Sequence, residues 1–320
     1  MAAPTGTATT VTQKGNREDL TDILERVEPE ITPFTSNIGA AQKASGIYHE
    51  WQTETMAAPS ASNQQLEGDD VTSYTENVTT RVGNHTSINW KTYAISGTQE
   101  AVKKAGRKSE IARHRLLLGK EIRRDFEMEC LSANASRAQS GSTPRRLGGI
   151  QTWIETNTSR GTGGADGGFS GTTTSAPTAG TARAFTEALL KTVMQSLFNN
   201  SGTSERRQLY MSAAHKQEFS AFAGISEHRT MISGKTQGII HGAADVYMSD
   251  FGELAAIPVA YGLTDAVLVI DPDYCGVSTL RAIKEKQLAV TGDNEKRMIF
   301  SEKTLCVKNE KALGVIADLS

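Results

Sequence analysis

One stretch of the chain, residues 109–134, has the clearest helical periodicity, and it predicts a long helix around which the rest must pack. Apolar side chains recur there at seven- and four-residue steps, on one side of a helix with 3.6 residues per turn: Ile111, Leu118, Ile122, Phe126 and Cys130. Arg123 and Glu127 have the i,i+4 spacing of an exposed ion pair, and Ser109 is placed to cap the helix start. About 26 residues at about 1.5 Å each predict a spine of roughly 39 Å.

The composition limits what else the chain can be. Its 320 residues suffice for two compact domains or for one domain with large excursions, but only 38% are hydrophobic, so the core is modest. A formal net charge of −2 gives no basic field for non-specific DNA binding. Three cysteines without CxxC spacing, and the lack of an apolar run of about 18–20 residues, predict a soluble product of a reducing, cytosolic compartment.

Two segments that precede the spine lack a core of their own. Residues 17–28 predict a short amphipathic helix on an N-terminal arm, ended by Pro29. Residues 46–56 and 80–96 are rich in β-branched and aromatic residues and flank a polar stretch, which predicts one long two-stranded hairpin. Because an isolated hairpin is marginally stable in water, contacts outside the hairpin must stabilise it.

The chain after the spine mixes helices with short strands, which predicts an α+β domain. Residues 156–181 consist mostly of Gly, Ser, Thr and Ala and predict a long mobile loop. Helical periodicity returns over residues 185–199, and short apolar runs follow between turns. The last strands, residues 297–307 and 312–318, are expected to pack against the spine.

No chemical motif in the sequence meets its full requirements. Ser233, Gly234, Lys235 and Thr236 have the ending of a phosphate-binding loop, but the required glycine five positions before Gly234 is replaced by Arg229. The six histidines show neither HxH nor HxxxH spacing, and no GxSxG sequence occurs. We therefore predict no catalytic, cofactor-binding or metal-binding residues. A nucleotide-dependent enzyme using residues 233–236 is kept as an alternative.

The order of elements resembles tailed-phage major capsid proteins of the Hong Kong 97 type, and several stretches are similar to the group that includes the major head protein of phage SU-ten. The similar stretches occur in order: 46–53 (GIYHEWQT), 96–102 (SGTQEAV), 104–110 (KAGRKSE), 146–150 (RLGGI), 247–254 (YMSDFGEL), and 291–293 (TGD) through 309–312 (NEKA).

The resemblance implies an α+β Hong Kong 97-type fold and the role of an icosahedral shell subunit in the virion of a tailed bacteriophage, assembled in the host cytoplasm as hexamers and pentamers. It assigns residues 1–45 to the arm, 46–96 to the extended hairpin, 97–149 with 276–320 to a peripheral domain, and 150–275 to an axial domain. A decoration or tail component is the alternative structural role, but it would lack the long spine and the unsupported hairpin.

The resemblance also implies the partners. The hairpin and the arm would each lie on a neighbouring subunit, and the shell would enclose DNA without sequence-specific binding. No lysine lies between Gly46 and Trp90, which predicts a shell without covalent crosslinks. About 45 residues precede the hairpin, too few for a substantial scaffolding domain, so a separate scaffolding protein is expected, with a portal and a decoration protein as further partners.

Apolar side chains on unsupported elements need a partner surface. For the contacts between subunits we therefore predict Leu20, Ile23 and Val27 in the arm, and Tyr48, Trp51 and Leu66 in the hairpin. The alternative for the arm is that it folds back on its own subunit.

Overall fold

The protein is described by a computed structural model that covers residues 30–68, 70, 74, 76–202, 206–222 and 246–320. The helices are α1 (Pro33–Asn37), α2 (Gly97–Ala101), α3 (Glu110–Leu131), α4 (Glu187–Ser201) and α5 (Ala213–Ser220). The strands are β1 (Tyr48–Thr53), β2 (Thr80–His85), β3 (Ser87–Ser96), β4 (Thr158–Ser159), β5 (Gly168–Ser170), β6 (Thr173–Ser175), β7 (Arg206–Met211), β8 (Val246–Ser249), β9 (Gly252–Pro258), β10 (Val267–Ile270), β11 (Cys275–Gln287), β12 (Asn294–Val307) and β13 (Gly314–Ile316).

The predicted spine is helix α3, and four residues of its apolar stripe are buried, whereas Ile111 at its start is partly buried. The Ser109 hydroxyl accepts a hydrogen bond from the backbone N–H of Ala112 at 3.2 Å, which caps the first turn. The helix has 22 residues and is about 33 Å long. It ends at Leu131, three residues earlier than predicted, because Ser132 adopts an extended backbone with φ −68° and ψ 160°.

The spine is buried at Glu127, although the sequence predicted an exposed side there. Glu127, predicted to form an exposed pair with Arg123, has no exposed surface. Its two carboxylate oxygens accept hydrogen bonds from the backbone N–H groups of Phe34 and Thr35, each at 2.8 Å. These are first-turn donors of α1, which have no partner within their own helix. The predicted exposed ion pair of Arg123 and Glu127 was therefore wrong, since helix α1, 93 residues away in sequence, uses this carboxylate.

The spine packs on a three-stranded antiparallel sheet in the order β11–β12–β3. The layer between them is a small core, formed by Tyr93, Ile95, Leu118, Ile122 and Ile299. The prediction made β3 the second strand of the hairpin, but β3 pairs along its length with β12, with Trp90 opposite Phe300. The hairpin is formed by β1 and β2 and ends at His85.

The second large unit is a sheet in the order β4–β13–β10–β7–β9–β8. Alternate residues of its central strands enter different cores: Leu209 and Val269 face α4 and α5, whereas Tyr210 and Leu268 face α1 and the end of the spine. β13 pairs with β10 and β4, and its Val315 belongs to the same core cluster as Phe126 and Cys130 of the spine, in line with the predicted packing. The predicted domain boundaries stay predictions, although β3 and β13 each pair across one of them.

The Gly/Thr-rich segment, predicted as a loop, has regular structure. Its strands β5 and β6 form a short hairpin with Phe169 opposite Thr174. Phe169 stacks on Trp153 with ring centroids 5.4 Å apart, and the Thr174 hydroxyl accepts a hydrogen bond from the backbone N–H of Ser136 at 2.9 Å. The segment is therefore attached to the main core rather than separate from it.

Candidate inter-subunit surfaces

The base of the hairpin is tied to its own subunit through two of the predicted interface residues. The Trp51 indole N–H donates to the backbone carbonyl of Val307 at 2.9 Å, and its ring lies 5.5 Å from that of Trp153. Tyr48 is half-buried and packs on the His85 ring at 4.7 Å. Both side chains thus already have partners within the chain, and their role at a neighbouring subunit stays a prediction.

The tip of the hairpin has a different character. Leu66, the third predicted hairpin residue, is 80% exposed, and further exposed apolar side chains lie in the same segment: Met56, Tyr74 and Val78. Residues 54–79 contain five carboxylates and neither lysine nor arginine. The tip therefore combines exposed apolar side chains with a strong negative charge, a combination that favours a basic and partly apolar partner surface.

A surface of that kind lies on the sheet of β3, β11 and β12, on the face opposite to the spine. Trp90 is 59% exposed there, beside Phe300 on the adjacent strand. Lys284 lies opposite Phe300 and Lys286 lies opposite Met298, and both lysines are exposed. We call this the outer sheet face, and we define it by Trp90, Lys284, Lys286 and Phe300.

The carboxylate nearest to the centre of this face does not offset the lysines. Glu302 is buried and forms ion pairs with Arg145 and, at 2.7 Å, with Arg281, whose guanidinium also lies over the Phe300 ring. Burial alone would raise the pKa of Glu302, but hydrogen bonds from Arg281, Thr86 and Arg145 outweigh it and lower the pKa. The outer sheet face therefore has a net positive charge.

Sequence reasoning missed the outer sheet face. Its signal was present in the alternation of β3, where Ile88 and Trp90 occupy one side and Tyr93 and Ile95 the other. Assigning β3 to the hairpin concealed that alternation, because the whole hairpin was expected to lie on a neighbouring subunit.

The arm enters the described part of the chain alongside the spine. Glu30 forms an ion pair with Lys120, and Phe34 is fully buried beneath the Glu127 contacts. Burial raises the pKa of Glu127 although the hydrogen bonds from residues 34 and 35 oppose it. The predicted arm residues Leu20, Ile23 and Val27 lie outside the described residues.

Two kinds of reactive group in the described ranges bear on the prediction of no catalytic or metal site. They contain no group of three or more His, Cys, Asp or Glu side chains arranged to hold a metal ion. Cys130, Cys275 and Cys306 are buried, and burial raises the pKa of each thiol, to about 11 for Cys306. Ser233, Gly234, Lys235 and Thr236 lie outside the described residues. Within those ranges, no helix has the length and apolarity needed to cross a bilayer.

Comparison with known proteins gives a consistent assignment. The family model described as SU10 major capsid protein matches residues 3–320. The major capsid protein of Escherichia phage Phieco32 is 27% identical over 338 residues, which cover 95% of this chain and 94% of that protein.

Solved structures with the same fold are phage and particle capsids. A chain of the cyanophage A-1(L) capsid superposes with a TM-score of 0.67 at 10% identity, covering 97% of this chain and 98% of that one. A chain from the capsid of the native GTA particle superposes with a TM-score of 0.61 at 8% identity, covering 95% of this chain and 96% of that one. A chain of Mycobacterium phage Che8 superposes with a TM-score of 0.60 at 11% identity, covering 95% of this chain and 98% of that one. The expected Hong Kong 97-type α+β fold is thereby confirmed. This chain belongs to the SU10 major capsid protein family, and it is the shell-forming major capsid protein of a tailed phage.

Proposed function

We propose that copies of this chain form hexamers and pentamers of a non-covalent icosahedral shell, assembled in the host cytoplasm around the double-stranded DNA genome. A separate scaffolding protein and a portal are the expected partners, with a decoration protein as a further candidate. The shell encloses DNA without sequence-specific binding, and the chain has no catalytic role.

The observation that supports this proposal best is the exposed tip of the hairpin. Leu66 and its apolar neighbours are exposed in the single subunit, although burying a side chain of this size stabilises by about 1.5–3 kcal/mol. A neighbouring subunit supplies the missing surface. The outer sheet face fits it, because its lysines and its two aromatic rings complement the carboxylates and apolar side chains of the tip.

The position of Lys91 supports a shell without covalent bonds. It is the lysine nearest to the hairpin in sequence on its C-terminal side, and it lies within β3 rather than on the hairpin. Its ammonium group forms ion pairs with Glu121 at 3.0 Å and Asp125 at 3.1 Å. Burial alone would lower the pKa of Lys91, but the hydrogen bonds to Asp125 and Glu121 outweigh it and raise the pKa, so the amine stays protonated and non-nucleophilic.

The test is sedimentation velocity over a range of concentrations, with negative-stain images of any fast fraction. The purified chain is expected to form rings or closed shells; a monomer at every concentration would contradict assembly without the scaffolding protein. Leu66→Asp should abolish the fast fraction without changing the urea midpoint, whereas Leu66→Met should assemble. Val102→Asp, which adds a carboxylate at another exposed apolar site, controls for charge. Normal shells from Leu66→Asp would exclude the tip from the interface.

A further inference from the structure

Strand β11, the end strand of its sheet, is irregular where it borders the outer sheet face. Between its paired positions Arg281 and Lys284, it has one more residue than the facing stretch of β12, which makes a bulge. A bulge re-aims the side chains of the longer strand. Beside this one lies an open pocket of about 460 Å³, and Leu280, Lys284 and Phe300 are among the residues that line it. The pocket thus combines apolar walls with an exposed lysine.

A second lysine reaches the pocket from a distant part of the chain. Residues 39–43, which we call the strap, lie along the start of β11, where the backbone N–H of Ala41 donates to the carbonyl of Val277 at 3.0 Å. The approach is close, because a Cβ atom at Gly276 would lie 2.8 Å from that of Ala41. The strap continues to Lys43, which lines the pocket. The pocket is therefore complete only when the strap is in place.

Both lysines of the pocket are free to bind a partner. Neither the Lys43 nor the Lys284 side chain has an ion pair or a hydrogen bond within the described part of the chain. Arg281 differs, since the Glu302 carboxylate already accepts its hydrogen bond at 2.7 Å. Among the described residues that line the pocket there is no carboxylate. The pocket therefore favours a ligand that places a carboxylate next to an apolar side chain.

The hairpin tip presents these two groups at Leu66 and Glu67. Leu66 is 80% exposed, and Glu67 is exposed beside it. Gly68 follows with φ +81°, a left-handed backbone conformation that favours glycine, so both side chains stand at a turn. Within residues 54–79, no other large apolar residue directly precedes a carboxylate. The tip thus offers one position with the chemistry that the pocket favours.

We propose that the pocket beside the β11 bulge receives Leu66 and Glu67 of a second copy of this chain. Leu66 packs on the apolar walls, and the two lysines bind the Glu67 carboxylate. Because one of these lysines belongs to the strap, a subunit binds its neighbour's tip fully only while its own strap lies on β11. This inference rests on the proposed shell function and deepens it, since it names the site that the tip enters and the segment that controls the site.

The test is a disulfide between two single variants of the full chain, Leu66→Cys and Ala282→Cys, which are mixed and mildly oxidised. Ala282 is exposed and lines the pocket, and the native thiols are buried, so the introduced cysteines dominate the reaction. One variant carries a size tag, so that the mixed dimer has its own band on a non-reducing denaturing gel. That band is expected, and its absence would overturn the proposal.

A second mixture separates the pocket from the rest of the outer sheet face. Thr92→Cys replaces Ala282→Cys there, at an exposed position of β3 that does not line the pocket. Its mixed dimer is expected in much lower yield, and an equal or higher yield would place the tip elsewhere on the face. Wild-type shells without the Leu66 and Ala282 dimer would overturn this inference and keep the shell function, whereas the dimer without shells would do the reverse.

Charge reversal tests the role of the two lysines. Lys43→Glu together with Lys284→Glu in the pocket variant should slow formation of the mixed dimer severalfold, and Glu67→Lys in the tip variant should restore the rate. Lys286→Glu is the matched control, because it lies on the same strand and is exposed but does not line the pocket. Equal slowing by Lys286→Glu, or the lack of a rescue by Glu67→Lys, would contradict the assigned carboxylate site.

Two glycines test the control by the strap. Gly276→Ala in the pocket variant should slow the mixed dimer, because the new methyl group displaces the strap. Gly39→Ala should not, since a Cβ atom there meets nothing within 4 Å. Lys43→Ala leaves the strap backbone in place and removes only its ammonium group, and it should slow the reaction as well. Unchanged rates in both Gly276→Ala and Lys43→Ala would show that the strap does not control the pocket.

Discussion

The indole N–H of Trp51 donates a hydrogen bond to the backbone carbonyl of Val307 at 2.9 Å, and so ties the first strand of the hairpin to β12. This contact connects residues 256 positions apart, and it makes the hairpin base part of the subunit core. The half-buried Trp51 acts together with buried contacts of β2, since Asn84 donates to the carbonyl of Leu305 at 2.9 Å and the Thr304 hydroxyl donates to that of His85 at 2.8 Å.

Trp51→Ala is expected to lower the free energy of unfolding by about 2–3 kcal/mol, because it removes the ring contact with Trp153 as well as the hydrogen bond. Trp51→Phe keeps a ring and loses the N–H donor, with an expected loss of about 1 kcal/mol. Urea unfolding followed by far-UV circular dichroism measures both. Unchanged stability in Trp51→Ala would show that the contacts of this side chain do not stabilise the subunit.

Glu127→Ala is expected to lower the free energy of unfolding, measured by urea unfolding, by about 3 kcal/mol. It leaves the backbone N–H groups of Phe34 and Thr35 without acceptors, and the Phe34 N–H is buried. Glu121→Ala is the matched control on the same helix. Its ion pair with Lys91 is partly exposed, and Lys91 retains its ion pair with Asp125 in the variant. A loss of only about 0.5 kcal/mol in the free energy of unfolding is therefore expected. Equal losses in the two variants would contradict the anchoring role of Glu127.

Local patterns predicted the elements that are determined locally. The spine was predictable from its apolar stripe and from Ser109, because both signals lie within the helix itself. The exposure of Leu66 was predictable because its neighbours are polar. The burial of Glu127 was not, since the partner at Phe34 is 93 residues away and no periodicity encodes it.

The same distinction explains the errors in strand pairing. β3 has the composition of a hairpin strand, and only its partner β12, about 200 residues later, reveals that it belongs to another sheet. The low-complexity segment around Phe169 is ordered by contacts with Trp153 and Ser136, which its own sequence cannot indicate. The outer sheet face could be found only once these pairings were known.

The hairpin base should weaken as the pH falls. Burial lowers the pKa of His49 and His85 below the ordinary value of 6.5, and Arg145 lowers that of His85 further. A histidine with a depressed folded-state pKa stabilises the fold above its unfolded-state pKa, and this contribution is lost as the pH falls through the folded-state value. Protonation as the pH falls below the ordinary histidine value of 6.5 therefore favours opening of β1 and β2.

Amide hydrogen exchange at pH 7 and pH 5, corrected for the intrinsic rate, measures this opening. Protection of β1 and β2 is expected to fall more than that of α3. The double variant His49→Gln and His85→Gln should lose most of this difference, whereas His114→Gln, on the spine, should keep it. Equal acid sensitivity in the double variant would assign the effect to carboxylates such as Glu302 instead.

Gly149 and Gly119 differ in the space available for a side chain. A Cβ atom at Gly149 would lie 2.0 Å from the backbone carbonyl oxygen of Ser132, whereas a Cβ at Gly119, within the spine, meets nothing within 4 Å. Gly149→Ala should therefore destabilise by about 3 kcal/mol, because backbone at the end of the spine must move. Gly119→Ala should stabilise by about 1 kcal/mol through helix propensity. Both changes reduce the entropy of the unfolded chain similarly, so urea unfolding of the pair isolates the folded-state contact. A tolerated Gly149→Ala would mean that the segment after the spine can shift away from Ser132.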